Sequence, residues 1–271
     1  MPLSINNNEL TSGLLNSLSR SQQGQASALE KLASGKKVNS AADNAAALAI
    51  INQFSAQITG SSQAARNSSD GISFAQVADS GLQNISENLQ RIRELSLQAA
   101  NGTLSDQQRG ALQQEVGQLQ QEIGRTLETT RFNNVDVFNT SATISFQVGA
   151  NSGETIDLTL PDLSSGVASV SAIDISTQSG ADSAASVVDS LLQTVELSSS
   201  SLGAVQSRFE AAIDNLDSGR INSEAARSRL RDTDYANQSS LLVQNNIQQQ
   251  AGIAIQSQAN ASAQLVLNLL A

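Results

Sequence analysis

Residues 75–99, AQVADSGLQNISENLQRIRELSLQA, carry the pattern on which the fold depends. Small or apolar residues recur there at alternating steps of three and four, at Ala75, Ala78, Leu82, Ile85, Leu89, Ile92, Ser96 and Ala99. This spacing places them in one stripe along an α-helix, as in the contact seam of a coiled coil. The opposite side is polar, with Glu87, Arg91, Arg93, Glu94 and Gln98. We therefore expect a helix that packs through the stripe and turns its other side to water or to a polar partner.

Three further segments repeat this helical period. A helix is predicted over residues 1–34, with Gly35 at a position that favours its end. Another helix begins at a capping box formed by Ser105 and Gln108. The most regular heptad places an apolar residue at every seventh position, at Val188, Val195, Leu202, Phe209 and Leu216. The chain is thus predicted to be mainly α, a long antiparallel coiled-coil helical bundle.

The period changes in the middle of the chain. Apolar residues alternate with polar ones on both sides of the turn sequence GANSGE, which predicts a β-hairpin over about 143–160. Residues 161–181 are rich in Ser and Gly without clear periodicity, and we expect them to form a short surface loop. A joint is predicted at 217–219, followed by a last helix from about Asn222.

Composition excludes several classes of function. The net charge of −10 opposes nucleic-acid binding, which needs a basic surface. The chain has no Cys and no His, so it has neither a His-assisted nucleophile nor the common zinc ligands. Asp232 and Asp234 lack the further ligands of a calcium loop. We predict no enzyme activity, no cofactor and no metal site. No apolar run is long enough to insert into a membrane.

The C-terminal segment is unusual because it has no charged residue after Asp234. A surface helix of a soluble protein normally carries charges on its wet face, whereas this segment carries Gln, Asn and Ser. One interpretation is a disordered, low-complexity tail. The other is a helix that becomes ordered by packing among many copies of the chain.

Six stretches together resemble bacterial flagellin and follow one another in the order found in that family. They are LEKLASGKKVNSAADNAAALAI, LQRIRELSLQAANGT, RFNNVDVFN, FQVGANSGETIDL, SSLGAVQSRFEAAIDNL and RLRDTDYANQSSLLVQNNIQQQAGIAIQSQAN. The resemblance implies a structural subunit that polymerises into the flagellar filament. The chain departs from the family in the middle, where the 161–181 segment stands in place of the outer variable domains. It therefore resembles a short form.

The resemblance also implies a domain division. Residues 1–44 with 223–271 would form the coiled-coil core of the filament, and 45–222 the helical middle domain. The residues expected to pack in the filament core are Leu10, Leu14, Leu18, Val243, Ile247, Leu265 and Leu269.

The partners implied by the family are other copies of the chain, hook-associated and cap proteins, an export chaperone at the C-terminal region, and a Toll-like flagellin receptor of a host. The implied location is extracellular, in the filament, reached through the flagellar type III apparatus without a cleaved signal peptide. The N-terminal stretch MPLSINNNELTSGLL fits this route because it has no basic segment followed by an apolar core.

The residues that match the family's receptor-binding region are Arg91, Leu95 and Glu115. Arg91 and Leu95 are one turn apart and off the seam, so we expect them to share an exposed face. The alternative is that these three residues contact neighbouring subunits in the filament.

Alternatives to a filament subunit are a hook–filament junction protein, an enzyme and a generic coiled-coil adhesin. A junction protein shares terminal features with flagellin but would stop at a short ring.

Overall fold

The computed structural model describes residues 9–138 and 141–270, and the side chains of 12–138 and 141–262. The helices and strands are α1 (Glu9–Ser34), α2 (Ala41–Ala99), α3 (Asp106–Thr129), β1 (Arg131–Phe132), β2 (Val135–Asp136), β3 (Thr143–Gln147), β4 (Thr155–Thr159), α4 (Ser164–Ser171), α5 (Gln178–Arg231) and α6 (Tyr235–Leu270). The prediction of a mainly α chain with a small β region is confirmed. The chain divides into two compact units, one of Met1–Ala56 with Asn222–Ala271 and one of Gln57–Ile221.

The second unit is built around the stripe on α2. All eight predicted seam residues from Ala75 to Ala99 are buried, none more than 1% exposed. The helices on either side run antiparallel to α2. On α5, Ser199 Oγ donates to Asp79 Oδ1 at 2.6 Å, and Asp189 Oδ1 accepts from Arg93 Nε at 2.6 Å. Residue numbers thus fall along α5 as they rise along α2.

A capping box and a buried arginine fix the turn from α2 into α3. Ser105 and Gln108 form the predicted capping box. Arg109 is 6% exposed and donates from Nε to Ala99 O at 2.8 Å and from Nη2 to Asn101 O at 3.2 Å. Because the last carbonyls of a helix have no partner within it, this guanidinium stabilises the end of α2.

The predicted hairpin is confirmed as β3 and β4, an antiparallel pair with Ser145 opposite Asp157. A second, smaller hairpin of β1 and β2 was missed by the sequence analysis. Its turn places Asn133 and Asn134 at φ of 46° and 66°, a left-handed conformation that Asn adopts more readily than most residues.

Phenylalanines join both hairpins to the helices. Phe74 of α2 packs edge-on against Phe132 of the first hairpin and Phe146 of the second, with ring centroids 5.4 and 6.3 Å apart. Phe146 also meets Phe209 of α5 at 5.4 Å. Such pairs add to the stabilisation from burial alone.

The prediction of a surface loop over 161–181 was wrong. The segment contains α4, and Leu163, Val167, Val170, Ile173 and Ile175 belong to the buried core. Two glutamines of α3 hold it in place. Gln113 accepts from Ile175 N at 2.7 Å, and Gln120 Nε2 donates to Val170 O at 2.8 Å. Aliphatic residues at steps of three and four were hidden among Ser and Gly, which favour loops.

The predicted joint at 217–219 is also wrong, because α5 continues without a break to Arg231. The last helix therefore starts at Tyr235 and not near Asn222. A single glycine inside a long helix costs only about 1 kcal/mol, which packing overrides. The real interruption within a helical element lies at Asn44 of α2, whose backbone is extended and whose Oδ1 accepts from Ala47 N at 2.9 Å.

In the first unit, α1 and α6 pack antiparallel. Tyr235 Oη, at the start of α6, donates to Leu32 O near the end of α1 at 2.9 Å. The chain after α1 also pairs with the chain before α6, since Thr233 N donates to Gly35 O at 3.0 Å. Gly35 has φ of +67°, so the predicted helix stop at this glycine is confirmed.

Candidate assembly surface

The α6 side of the seam between α1 and α6 is lined largely by amides. On α6 the half-buried residues repeat at alternating steps of four and three, at Gln238, Leu242, Asn245, Gln249, Gly252, Gln256 and Ala259. Within the seam, Ser21 Oγ donates to Asn245 O and Gln25 Nε2 donates to Asn246 Oδ1, both at 2.7 Å. Among the described groups, the buried Oε1 of Gln256 has no hydrogen-bond partner. A seam of this kind contributes less stability than an aliphatic one.

The opposite face of α6 carries a second heptad. Its members are exposed and again follow steps of four and three, at Ala236, Ser240, Val243, Ile247, Gln250 and Ala254. Val243 is 55% exposed and Ile247 is 61% exposed. We call these six residues the outer seam. In α6 the larger aliphatic residues of this repeat thus lie outside, whereas amides dominate the side that faces α1.

Other large apolar residues of the first unit are exposed as well. They are Leu15, Leu29, Ile50, Leu241, Ile253 and Ile255. The sequence of α6 contains no charged residue. Exposed aliphatic residues on an uncharged surface are characteristic of protein interaction sites.

The predicted core-packing residues fall into three groups. Leu14 and Leu18 are half-buried on the side of α1 that faces α6, whereas Val243 and Ile247 lie on the outer seam. Leu10, Leu265 and Leu269 lie outside the residues whose side chains are described. The sequence analysis missed the outer seam as a whole, although its alternating spacing is visible between residues 236 and 254.

The predicted receptor patch is only partly exposed. The Arg91 side chain is 48% exposed and its Nη2 lies 2.7 Å from Glu115 Oε1, so these two residues of α2 and α3 form one surface ion pair. The hydrogen bond to Glu115, with a second one to Glu94, raises the pKa of Arg91.

Leu95 does not share this surface. It is 1% exposed and belongs to the core of the second unit, so the prediction of an exposed Arg–Leu pair was wrong. The buried stripe of α2 is two residues wide here because α2 packs against both α3 and α5, and Leu95 lies beside the seam residue Ser96.

None of the described residues form a group of three or more Asp or Glu side chains that could hold a metal ion. Of the helices described, none has the length and apolar character needed to cross a membrane.

Comparison with known proteins identifies the family of the chain. Residues 5–143 match the family model of the bacterial flagellin N-terminal helical region, and residues 185–270 match that of the C-terminal helical region. A flagellin of Halalkalibacterium halodurans is 45% identical over 251 residues, 92% of this chain and 92% of that protein. The chain belongs to the bacterial flagellin family. Flagellin is a structural protein of the flagellar filament, and the length of 271 residues fits a short form without a large variable domain.

Solved structures agree with this assignment. The crystal structure of Bacillus cereus flagellin is 27% identical, with a TM-score of 0.52 over 56% of this flagellin and 88% of that chain. A protein assigned as a flagellar hook-associated protein of Vibrio parahaemolyticus gives a TM-score of 0.60 over 70% of this flagellin and 100% of that chain, at 14% identity. That identity supports a common fold alone, so the junction-protein alternative is not better supported than a filament subunit.

Proposed function

We propose that this flagellin polymerises through its first unit, with the outer seam of α6 packed against other copies of the same chain. One observation supports this above all: the polarity of the two faces of α6 is the reverse of that expected for a helix of a monomeric protein, which buries its aliphatic side and exposes its polar side. Its intrachain side is rich in amides, whereas its unpartnered side carries Val243 and Ile247 in a heptad. Covering that heptad by a neighbouring helix would remove apolar surface from water in every subunit.

The proposal assigns the filament core to the first unit and the surrounding layer to the second. Residues 1–44 and 223–271 would form the core, as the family resemblance implies, and the subunit would have no catalytic step. The buried core of the second unit lies within Gln57–Ile221, so this unit does not depend on polymerisation for its own packing.

The test is seeded polymerisation of the variant Val243→Gln/Ile247→Gln. Because both residues are exposed in the single chain, the variant should fold like the native protein but fail to elongate filament seeds. We expect the critical concentration, measured by sedimentation and electron microscopy, to rise at least tenfold. A matched control is Leu197→Gln on α5, which removes an aliphatic side chain 66% exposed in the second unit. Normal filaments from the double variant would contradict the proposal, and rings in place of filaments from the native chain would favour a junction protein.

We also propose the partners that the family implies. The chain would be exported without a cleaved signal peptide through the type III apparatus, with a chaperone at its C-terminal region, and would meet cap and hook-associated proteins at the filament ends. An uncharged, apolar α6 is compatible with a chaperone that covers it before assembly.

A Toll-like receptor would contact the Arg91–Glu115 pair on monomers, whereas Leu95 is inaccessible there. Arg91→Ala should reduce receptor signalling by monomer several-fold, since an exposed arginine is a frequent hot spot. The control is Arg66→Ala, another arginine of α2. Unchanged signalling at matched monomer concentration would leave contacts with neighbouring subunits as the only proposed role for Arg91.

A further inference from the structure

The α1–α6 seam pairs large side chains with glycines in both directions. A Cβ atom at position 24 of α1 would lie only 2.9 Å from Nδ2 of Asn245, so Gly24 is the socket for the Asn245 side chain. In the opposite direction, Cδ1 of Leu18 lies 3.6 Å from the position that a Cβ atom of Gly252 would take. The distance at Gly252 is an ordinary contact distance, so only Gly24 is a tight socket, whereas Leu18 simply packs against Gly252.

Hydrogen bonds mark the same alignment. Gln25 Nε2 reaches Asn246 Oδ1 at 2.7 Å, next to the Gly24 socket. Ser21 Oγ reaches the main-chain oxygen of Asn245 at the same distance. These two polar contacts lie beside the Gly24 socket and link one turn of α1 to one turn of α6.

The heptad spacing alone does not fix how the two helices are aligned. Both seams repeat every seven residues, so sliding α6 by seven residues would still bring stripe against stripe, displaced by about 10 Å. In one direction the slide would bring Gly252 to Gly24, leaving a void, and Ile253 to Gln25, removing its acceptor. In the other direction Leu18 would meet Asn245, two large side chains at one level.

We propose that the Gly24 socket, the contact of Leu18 with Gly252 and the two hydrogen bonds form a register lock between α1 and α6. The lock selects one alignment among heptad-related alternatives, as single polar residues do in coiled coils. Its consequence rests on the proposed function: only the locked register sets the outer seam of α6 level with Leu15 and Leu29 of α1 along the helix axis, so that every subunit presents these exposed residues at the same heights to a neighbouring copy. The amides of the seam then serve alignment at the expense of stability.

The first test exchanges Leu18 and Gly252, the leucine and the glycine that pack against each other. Gly252→Leu alone places two leucines at one level, and Leu18→Gly alone leaves a void, so each should raise the critical concentration about tenfold. The double variant Leu18→Gly/Gly252→Leu restores one large residue and one glycine, and we expect its critical concentration to return to within about threefold of native. A double variant as impaired as the two single variants together would overturn the lock.

The second test measures the register directly. The chain has no cysteine, so nitroxide labels can be placed at Gln22→Cys and Gln248→Cys, both exposed positions of α1 and α6. Double electron–electron resonance on filaments diluted with unlabelled chain then reports the distance within one subunit. Native filaments should give one narrow distance.

The unlocked variant is Gln25→Leu/Asn246→Leu, and the matched control is Gln23→Leu/Gln244→Leu at exposed positions of the same helices. We expect a second distance population for the unlocked variant and a single one for the control. A single native distance in both would overturn the lock while leaving the proposed function intact. Failure of the native chain to polymerise would contradict the proposed function instead, and the socket exchange would then be read from chemical denaturation of the first unit.

Discussion

At the scale of single residues, polar groups decide where the helices end. Arg109 is buried although it is charged, and its guanidinium is occupied by two carbonyls at the end of α2 and by Asp106. The sequence analysis identified the capping box beside it but not this role. Nothing in the sequence around Arg109 indicates that the chain turns back so that the arginine faces Ala99 O.

Replacing this arginine should destabilise the second unit. In Arg109→Met the buried carbonyl of Ala99 and the partly buried carbonyl of Asn101 would lose their donor, and we expect a loss of about 1–3 kcal/mol in the free energy of unfolding. The measurement is chemical denaturation of the monomer followed by circular dichroism. Arg125→Met is the control, because that arginine is exposed and its side chain pairs with Glu122 one turn away. Equal losses in the two variants would show that the helix-end contact of Arg109 has no special weight.

At the scale of the elements, regular periodicity was the reliable guide. The stripe from Ala75 to Ala99 is buried as predicted, and so is the heptad from Val188 to Phe209, whereas its last predicted member, Leu216, is half-buried. The hairpin of β3 and β4 was visible because alternation and a turn sequence occur together. The segment 161–181 was not, since α4 is short and its burial depends on α3, which supplies Gln113 and Gln120 from a distant part of the chain.

Glycines show which faces of a helix are tightly packed. Gly110, Gly117 and Gly124 recur every seven residues in α3, and a Cβ atom at any of them would meet no described atom within 4 Å. Alanine is more favourable than glycine inside a helix by about 1 kcal/mol per residue. Replacing all three glycines with alanine should therefore stabilise the monomer by about 2–3 kcal/mol. The measurement is the midpoint of guanidinium denaturation.

The contrasting variant is Gly71→Ala in α2. There a Cβ atom would lie 2.6 Å from Cζ of Phe209, inside the core. We expect this single substitution to destabilise the monomer in spite of the same gain in helix propensity. A triple α3 variant that is no more stable than the native chain would indicate that the three glycines are held in a closer environment than the one described.

At the scale of the whole molecule, the uncharged C-terminal segment is evident in the sequence, but the sequence does not determine which face of it is left exposed. A helical wheel gives two possible seams on α6, and only the position of α1 decides between them. The structure places α1 on the side of Gln238, Asn245 and Gln249, which leaves Val243 and Ile247 outside. Sequence periodicity predicts that a face is buried. It does not predict whether the face is buried within one chain or between chains, because that depends on the tertiary structure.

This distinction leads to the prediction for a chain that lacks residues 236–271. Its second unit should keep the native unfolding midpoint, because none of the described side chains of α6 belongs to the core within Gln57–Ile221. Polymerisation should be abolished, because both the outer seam and the partner of α1 are removed. Circular dichroism with thermal unfolding tests the first expectation, and electron microscopy of seeded samples tests the second. If α6 contributed only to the stability of the single chain, the truncated protein would still elongate seeds at higher concentration. Filaments of native length from this protein would place the polymerisation surface on the second unit.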